Sequence, residues 1–184
     1  MSEADTKALI RDIAAGQKTA LAALYKEMET PLYRFICVKL NDPHEANDIL
    51  HEVFMDVWRS ADKFEGRSTV KTWLFGIAYR KTMDRFRKTK RVTLTDEMPE
   101  LTDDSASQFD ILAAGQESQH IRFCLDELSL EHRQAIEMAF YDDMTYREIA
   151  EVANTAEGTV KTRIFHAKQL LKRCLSGRLG KVES

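Results

Sequence analysis

The sequence predicts an all-α protein made of two small helical domains joined by an acidic flexible linker. Three observations carry that expectation. The chain holds only 7 Gly and 3 Pro in 184 residues, too little turn chemistry for an all-β fold, and its apolar residues recur at helical spacing. Beneath a net charge of −3 the charges are segregated: residues 80–91 hold seven basic side chains against one acid, and residues 160–181 hold seven against none. Residues 93–119 between them hold seven acids, no Lys or Arg, Pro99 and several Ser and Thr. The length divides into halves of under about 100 residues, each able to bury a core. The boundaries that follow are 1–91, 92–117 for the linker, and 118–184.

With 43% hydrophobic and 31% charged residues the chain is too apolar to be disordered. No apolar run approaches the roughly 18 residues of a membrane helix, and the start lacks the basic-then-apolar layout of a signal peptide. A cytoplasmic protein without membrane insertion is therefore expected. Cys37, Cys124 and Cys174 are odd in number and far apart. They are read as ordinary thiols, with neither a disulfide framework nor a zinc knuckle.

In the N-terminal half the first helical pattern holds Leu21, Leu24, Tyr25 and Met28. Thr30-Pro31 reads as an N-cap followed by Pro at the first helical position, so a new helix is expected to restart there through Leu32, Phe35, Ile36 and Leu40. Asn41-Asp42-Pro43 breaks the chain. The helix HEANDILHEVFMDVWRSA puts Ile49, Leu50, Val53, Phe54, Val57 and Trp58 on one stripe and leaves Glu45, Asp48, Glu52 and Asp56 outside it. Asp48, Glu52 and Asp56 follow at i, i+4, i+8, where like charges cost an isolated helix a few tenths of a kcal/mol per pair. Such a row fits a solvated face or a basic partner. His44, Asp48, His51 and Glu52 lack HExxH spacing, and no metal ligand set is assigned.

A polar loop, DKFEGRST, leads to the helix VKTWLFGIAYRKTMDRFRK, capped by Ser68 or Thr69. Val70, Trp73, Leu74 and Ile77 form its buried stripe, while Lys81, Arg85 and Lys88 line a basic face. Lys71, Thr72, Tyr79 and Arg80, with Phe64 and Trp73 nearby, combine cations and rings, the mixture that single-stranded nucleic acid requires. Trp73 fits a core position as well as a base contact.

Two helices, about residues 121–128 and 131–141, open the C-terminal half, with Ile121, Leu125, Leu128, Ile136, Ala139 and Phe140 as the expected core. In DDMTYREIAEVANTAEGTVKTRIFHAKQLLKR, Thr145-Tyr146-Arg147-Glu148 is a capping box. It starts a short helix with Ile149, Ala150 and Val152 on its apolar side. Asn154-Thr155-Ala156 makes the turn, and Val160, Ile164, Ala167 and Leu171 face inward from a longer basic helix. The pattern is a helix-turn-helix within a four-helix domain, with a chance αα-hairpin as the plain alternative. Thr159, Lys161, Thr162, Arg163, Phe165 and His166 crowd the outward, early part of the second helix, where base edges are met in the major groove. Gly158 costs about 1 kcal/mol against Ala inside a helix. It is expected to serve a close approach, to the partner helix or to a phosphate.

EANDILHEVFMDVWRSADKFEGRSTVKTWLFGIAYRKTMDRFRK and LSLEHRQAIEMAFYDDMTYREIAEVANTAEGTVKTRIFHAKQLLKR resemble the second and fourth conserved regions of bacterial sigma factors of the extracytoplasmic-function (ECF) group of the sigma-70 family. They cover about half the chain, in the family's order and with its intervening linker. The sequence departs from the pattern at His51, where Gln is usual, at Arg80, where Asn is common, and at Asn154-Thr155-Ala156, which replaces a Gly-led turn.

The resemblance implies a role for each feature. Asp48, Glu52 and Asp56, with Trp58, would grip the clamp helices of core RNA polymerase. The loop with Lys63, Phe64, Ser68 and Thr69, and the helix beyond with Lys71, Thr72, Trp73, Tyr79, Arg80, Lys81 and Arg85, would open the −10 element as single strands and hold a flipped base. Lys161, Thr162, Arg163 and Phe165, joined by Thr159 and His166, would read the −35 duplex, with Thr145, Arg147 and Lys168 on its phosphates. The linker is similar to those that thread toward the RNA exit channel. The implied partners are core RNA polymerase, promoter DNA and an anti-sigma factor. No residue set makes a nucleophile–base pair or a phosphate-cradling Gly loop, so no enzyme, cofactor or metal is expected. The alternative is a stand-alone helix-turn-helix regulator with an N-terminal sensing or dimerising domain, which would bind its duplex site without polymerase.

Overall fold

A computed structural model describes residues 1–40, 42–93 and 116–179. The expected linker, residues 92–117, lies almost wholly outside the described residues. Those residues are all-α and fall into two compact units, one built on the four N-terminal helices and one on the four C-terminal helices, except that Glu151–Asn154 cluster with the first.

The first unit comprises α1 (Glu3–Ala14), α2 (Lys18–Leu40), α3 (Pro43–Ser60), a 3-10 turn (Ala61–Lys63) and α4 (Val70–Thr93). Apolar spacing gave no notice of α1, which is set by a capping box. The Asp5 amide donates to Ser2 Oγ at 3.2 Å and the Ser2 amide donates to Asp5 Oδ2 at 3.0 Å. Ile10 and Ile13 then point into the core. The break expected at Thr30-Pro31 does not occur, because α2 runs continuously through Pro31. Proline there forfeits one backbone hydrogen bond, and Met28, Leu32, Phe35 and Ile36, buried on both sides of it, hold the two halves of the helix in line. Asp42 caps α3, accepting from the His44 amide at 2.8 Å and the Glu45 amide at 3.1 Å, with Pro43 at the first helical position. The α3 stripe of Ile49, Leu50, Val53, Phe54 and Val57 is buried as its spacing predicts, and Trp58 is half-buried. From α4 come Val70, Leu74, Phe75, Ile77 and Ala78.

The second unit comprises α5 (Gln116–Asp126), α6 (Leu130–Phe140), α7 (Tyr146–Ala153) and α8 (Glu157–Leu179). Leu125, Leu128, Ile136 and Ala167 form its core cluster, with Leu171 against it. Ile121 and Phe140, expected inside, are 44% and 60% exposed. Their spacing is correct for an apolar face, but among the described residues no further helix of the unit covers that face. The capping box of α7 is present, with the Thr145 amide donating to Glu148 Oε2 at 2.9 Å and the Glu148 amide to Thr145 Oγ1 at 3.3 Å. Between α7 and α8, Asn154 adopts φ +48°, a left-handed conformation that Asn tolerates better than most non-glycine residues.

The reading of all three cysteines as thiols is overturned. Cys124 of α5 and Cys174 of α8 form a disulfide across 50 residues of sequence, with Cα atoms 5.8 Å apart; Cys37 takes no part in it. Packing of α5 against α8 brings the pair within bonding range. No described helix is long and apolar enough to cross a membrane.

Candidate nucleic-acid interface

On the first unit, α3 and α4 pack side by side. This places the acidic row of α3 opposite basic side chains of α4. Lys81 Nζ lies 2.8 Å from Asp56 Oδ2 and 3.2 Å from Glu52 Oε2, while Arg85 lies 3.3 Å from Glu45 Oε1 and 3.6 Å from Glu52 Oε1. Burial on its own would lower the Lys81 pKa, but the hydrogen bonds to Asp56 and Glu52 outweigh it and hold the ammonium above the ordinary lysine value. Along α3 alone, Glu52 has no counter-charge and Asp56 has only Arg59, 4.0 Å away. Across the helix pair both gain counter-charges, and two cations assigned to DNA supply them. Asp48, the third acid of the row, is exposed.

Beyond α3 the polar loop closes over α4. The Phe64 ring lies 5.0 Å from that of Trp73, both half-buried, and Gly66 turns the chain at φ +70°. Thr69 caps α4, its Oγ1 accepting from the Thr72 amide at 3.0 Å. Thr72 is a correction to the predicted surface set. It is 3% exposed, with its hydroxyl 2.8 Å from that of Thr69, because the third helical position faces the core. Tyr79 is half-buried beneath Lys39 of α2, whose Nζ lies 5.2 Å from its ring centroid. Lys71 lies 5.9 Å from the Phe75 ring centroid, Ser68 is half-buried, and Lys63 and Arg80 are exposed.

Lys63, Trp73, Arg80 and Lys81 line one open cavity of about 480 Å³. Arg59, Asp56 and Asp84 share its wall and Ile77 lies beside Trp73. Arg59 and Asp84 were missed because each looks solvated on its own helix, and only the pairing of α3 with α4 brings them together. The cavity combines an aromatic and aliphatic wall with cations for phosphates and two carboxylates that can accept from base amines.

On the second unit, Thr145 and Arg147 at the start of α7 and Thr159, Lys161, Thr162, Phe165 and His166 on the first turns of α8 are exposed, and Arg163 is half-buried. Several are already engaged. The Thr145 hydroxyl donates to Glu148 Oε2 at 2.8 Å, Lys161 lies 3.0 Å from Glu157, and the Thr162 hydroxyl donates to the Gly158 carbonyl at 3.0 Å. Phe165 is 58% exposed and packs edge-on to His166, ring centroids 5.6 Å apart. Of the two roles expected for Gly158, close approach to the partner helix is ruled out, since a Cβ there would meet nothing within 4 Å. Lys168 is exposed as well. It lines an apolar groove of about 490 Å³ with Ile121, Ile136 and Leu171, its ammonium 5.0 Å from the Phe140 ring centroid. Among the described residues no three His, Cys, Asp or Glu side chains converge to hold a metal ion.

Residues 24–92 match the family described as Sigma-70 region 2, and residues 118–171 match Sigma-70, region 4. The ECF RNA polymerase sigma factor SigK of Mycobacterium ulcerans (strain Agy99) is 31% identical over 175 residues, covering 93% of this chain and 94% of that protein. The SigK of Mycobacterium tuberculosis (strain ATCC 25618 / H37Rv) is 29% identical over the same span. The fold is similar to that of the sigma factor RpoE solved with the anti-sigma factor NepR from Bartonella quintana. That likeness has a TM-score of 0.69 and 24% identity, and covers 84% of this chain and 97% of that one. It is similar also to CnrH, solved with the cytosolic domain of CnrY, with a TM-score of 0.69 and 20% identity, covering 94% and 98%.

Proposed function

The chain belongs to the ECF sigma factors of RNA polymerase, and from that premise we propose how its surfaces divide the work of promoter recognition. It has no catalysis of its own, and its work is to direct core polymerase to promoters. The observation that carries the reading is the presence of both sigma-70 regions, in order, on separate compact units. A stand-alone regulator needs only the second.

The domains are assigned as 1–91 and 118–184, joined by residues 92–117 as the acidic linker on the path toward the RNA exit channel. Asp48, Glu52, Asp56 and Trp58 meet core polymerase. Lys63, Phe64, Ser68, Thr69, Lys71, Trp73 and Arg80 open the −10 element, with the cavity beside Trp73 receiving an unpaired base; stacking there is worth about 1–3 kcal/mol per base. Lys81 and Arg85 reach DNA only by leaving their partners on α3. Helices α7 and α8 act as a helix-turn-helix on the −35 duplex: Thr159, Lys161, Thr162, Arg163, Phe165 and His166 meet base edges, Thr145, Arg147 and Lys168 meet phosphates, and the open space at Gly158 admits the DNA backbone. An anti-sigma factor holds the protein inactive in the cytoplasm.

The test is transcription with bacterial core polymerase on a pooled genomic library. Initiation at discrete sites sharing two short elements is the expected outcome. A companion titration at fixed salt compares the full-length chain alone with the chain on core polymerase. Tight, sequence-specific duplex binding by the chain alone would overturn the reading in favour of a stand-alone regulator.

A further inference from the structure

The loop that precedes α4 is held at both ends by the first helix of the chain. At its start, α1 packs on the 3-10 turn Ala61–Lys63, with Ile10, Ile13 and Ala61 buried. At its end, the Val70 amide donates to Glu3 Oε1 at 3.2 Å, from a residue 67 positions earlier. An N-cap side chain satisfies the second or third amide of a helix and leaves the first without an acceptor. Thr69 does the former, taking the Thr72 amide. Glu3 takes the first, the Val70 amide, and its carboxylate lies at the positive end of the α4 dipole. Glu3 is in turn steadied by Lys7, 3.5 Å away, and by the capping box that fixes the first turn of α1.

We infer that Glu3 is a positioning residue for promoter opening: through the Val70 amide it fixes the end of the loop, and with it the placement of Ser68, Thr69 and Trp73, before DNA arrives. The inference rests on the assignment of this loop to the −10 element. A loop already ordered loses less conformational freedom when it captures an extruded base, so strand opening is the step that needs Glu3.

The test uses full-length Glu3→Ala and Glu3→Gln with core polymerase, on a duplex promoter found in the library experiment and on the same promoter pre-melted across its −10 element. Opening is followed by a fluorescent base analogue in the −10 strand. For Glu3→Ala, opening of the duplex is expected to slow by roughly three- to tenfold, the range of one lost hydrogen bond, with wild-type activity on the pre-melted template and unchanged affinity for core polymerase. Glu3→Gln keeps an acceptor oxygen and is expected to open the duplex close to the wild-type rate. The inference is overturned if Glu3→Ala opens the duplex like wild type, if it loses the same factor on both templates, or if Glu3→Gln is as slow as Glu3→Ala. A wild-type chain that initiates on neither template would bring down the −10 assignment, and this inference with it. Wild-type opening matched by Glu3→Ala brings down this inference alone.

Discussion

The two units solve the problem of a small helical core differently. Among the described residues the first buries twenty apolar side chains, with Phe35, Phe54 and Phe75 among them and no cross-link. The second buries thirteen, including Ala135, Ala150 and Ala167, and adds the Cys124–Cys174 disulfide. It also leaves Ile121, Phe123, Phe140, Tyr141 and Phe165 exposed. Small domains that bury little need another source of stability. The two bury apolar side chains in similar proportion to their described length; what sets the smaller second unit apart is the large apolar side chains it leaves outside and the covalent tie it adds.

The largest test of this contrast is Phe75→Ala, which should cost about 3–5 kcal/mol and fall on the first unit alone. Trp58 and Trp73, the two tryptophans of the chain, both lie in that unit. Tryptophan fluorescence therefore follows the first unit while far-UV circular dichroism follows both. Next comes reduction, or Cys124→Ser with Cys174→Ser, expected to cost the second unit about 2–4 kcal/mol. The dichroism transition should then move down while the fluorescence transition stays in place. If either change moves both transitions together, the units unfold as one and the contrast fails.

Function offers a smaller but sharper pair. Lys161→Ala or Arg163→Ala should weaken −35-dependent transcription and relax preference at one position, since a bidentate hydrogen-bonded pairing with a base edge is worth about 1–3 kcal/mol. A side chain on a phosphate would instead reduce the salt slope by about one when removed, without changing preference. Neither variant should alter the rate at which bound polymerase opens the −10 element, a step proposed for the first unit. Unchanged activity and preference in both would remove the start of α8 from the DNA interface.

The smallest effect expected is at Gly158. Nothing opposes a methyl group there, so Gly158→Ala should raise the stability of the second unit by up to about 1 kcal/mol. If the DNA backbone uses that space, affinity for a −35 duplex should fall at the same time. Raised stability with unchanged affinity would leave Gly158 without a role in binding.

What was legible in the sequence was what a single helix states about itself. The α3 stripe and the Thr145–Glu148 box read correctly because periodicity and capping are local. What failed depended on a neighbour. The Cys124–Cys174 pair and the bridges from Lys81 and Arg85 to α3 join side chains that are near only after helices pack, and no spacing within one helix announces them. Pro31 misled because local propensity argued for a break, while packing on both sides outweighed one lost hydrogen bond. Ile121 and Phe140 showed the period of a core without the helix that would have made them one. The surface proposed for the −10 element was the harder of the two to read. Thr72 and Arg80 look alike as polar residues on one helix, yet one is interior and the other borders the cavity. Helix α1 escaped notice although Ser2 and Asp5 carry the signature that starts it.

The disulfide also bears on how the chain responds to force. A molecule held at its two ends and stretched can extend only those residues that lie on the path between the handles. The bond from Cys124 to Cys174 takes the segment between them off that path. At about 3.3–3.6 Å per extended residue, the oxidised chain would come up short by roughly 165–180 Å of contour length. A reductant added during the pull would return that length in a single step, after the helices themselves had given way.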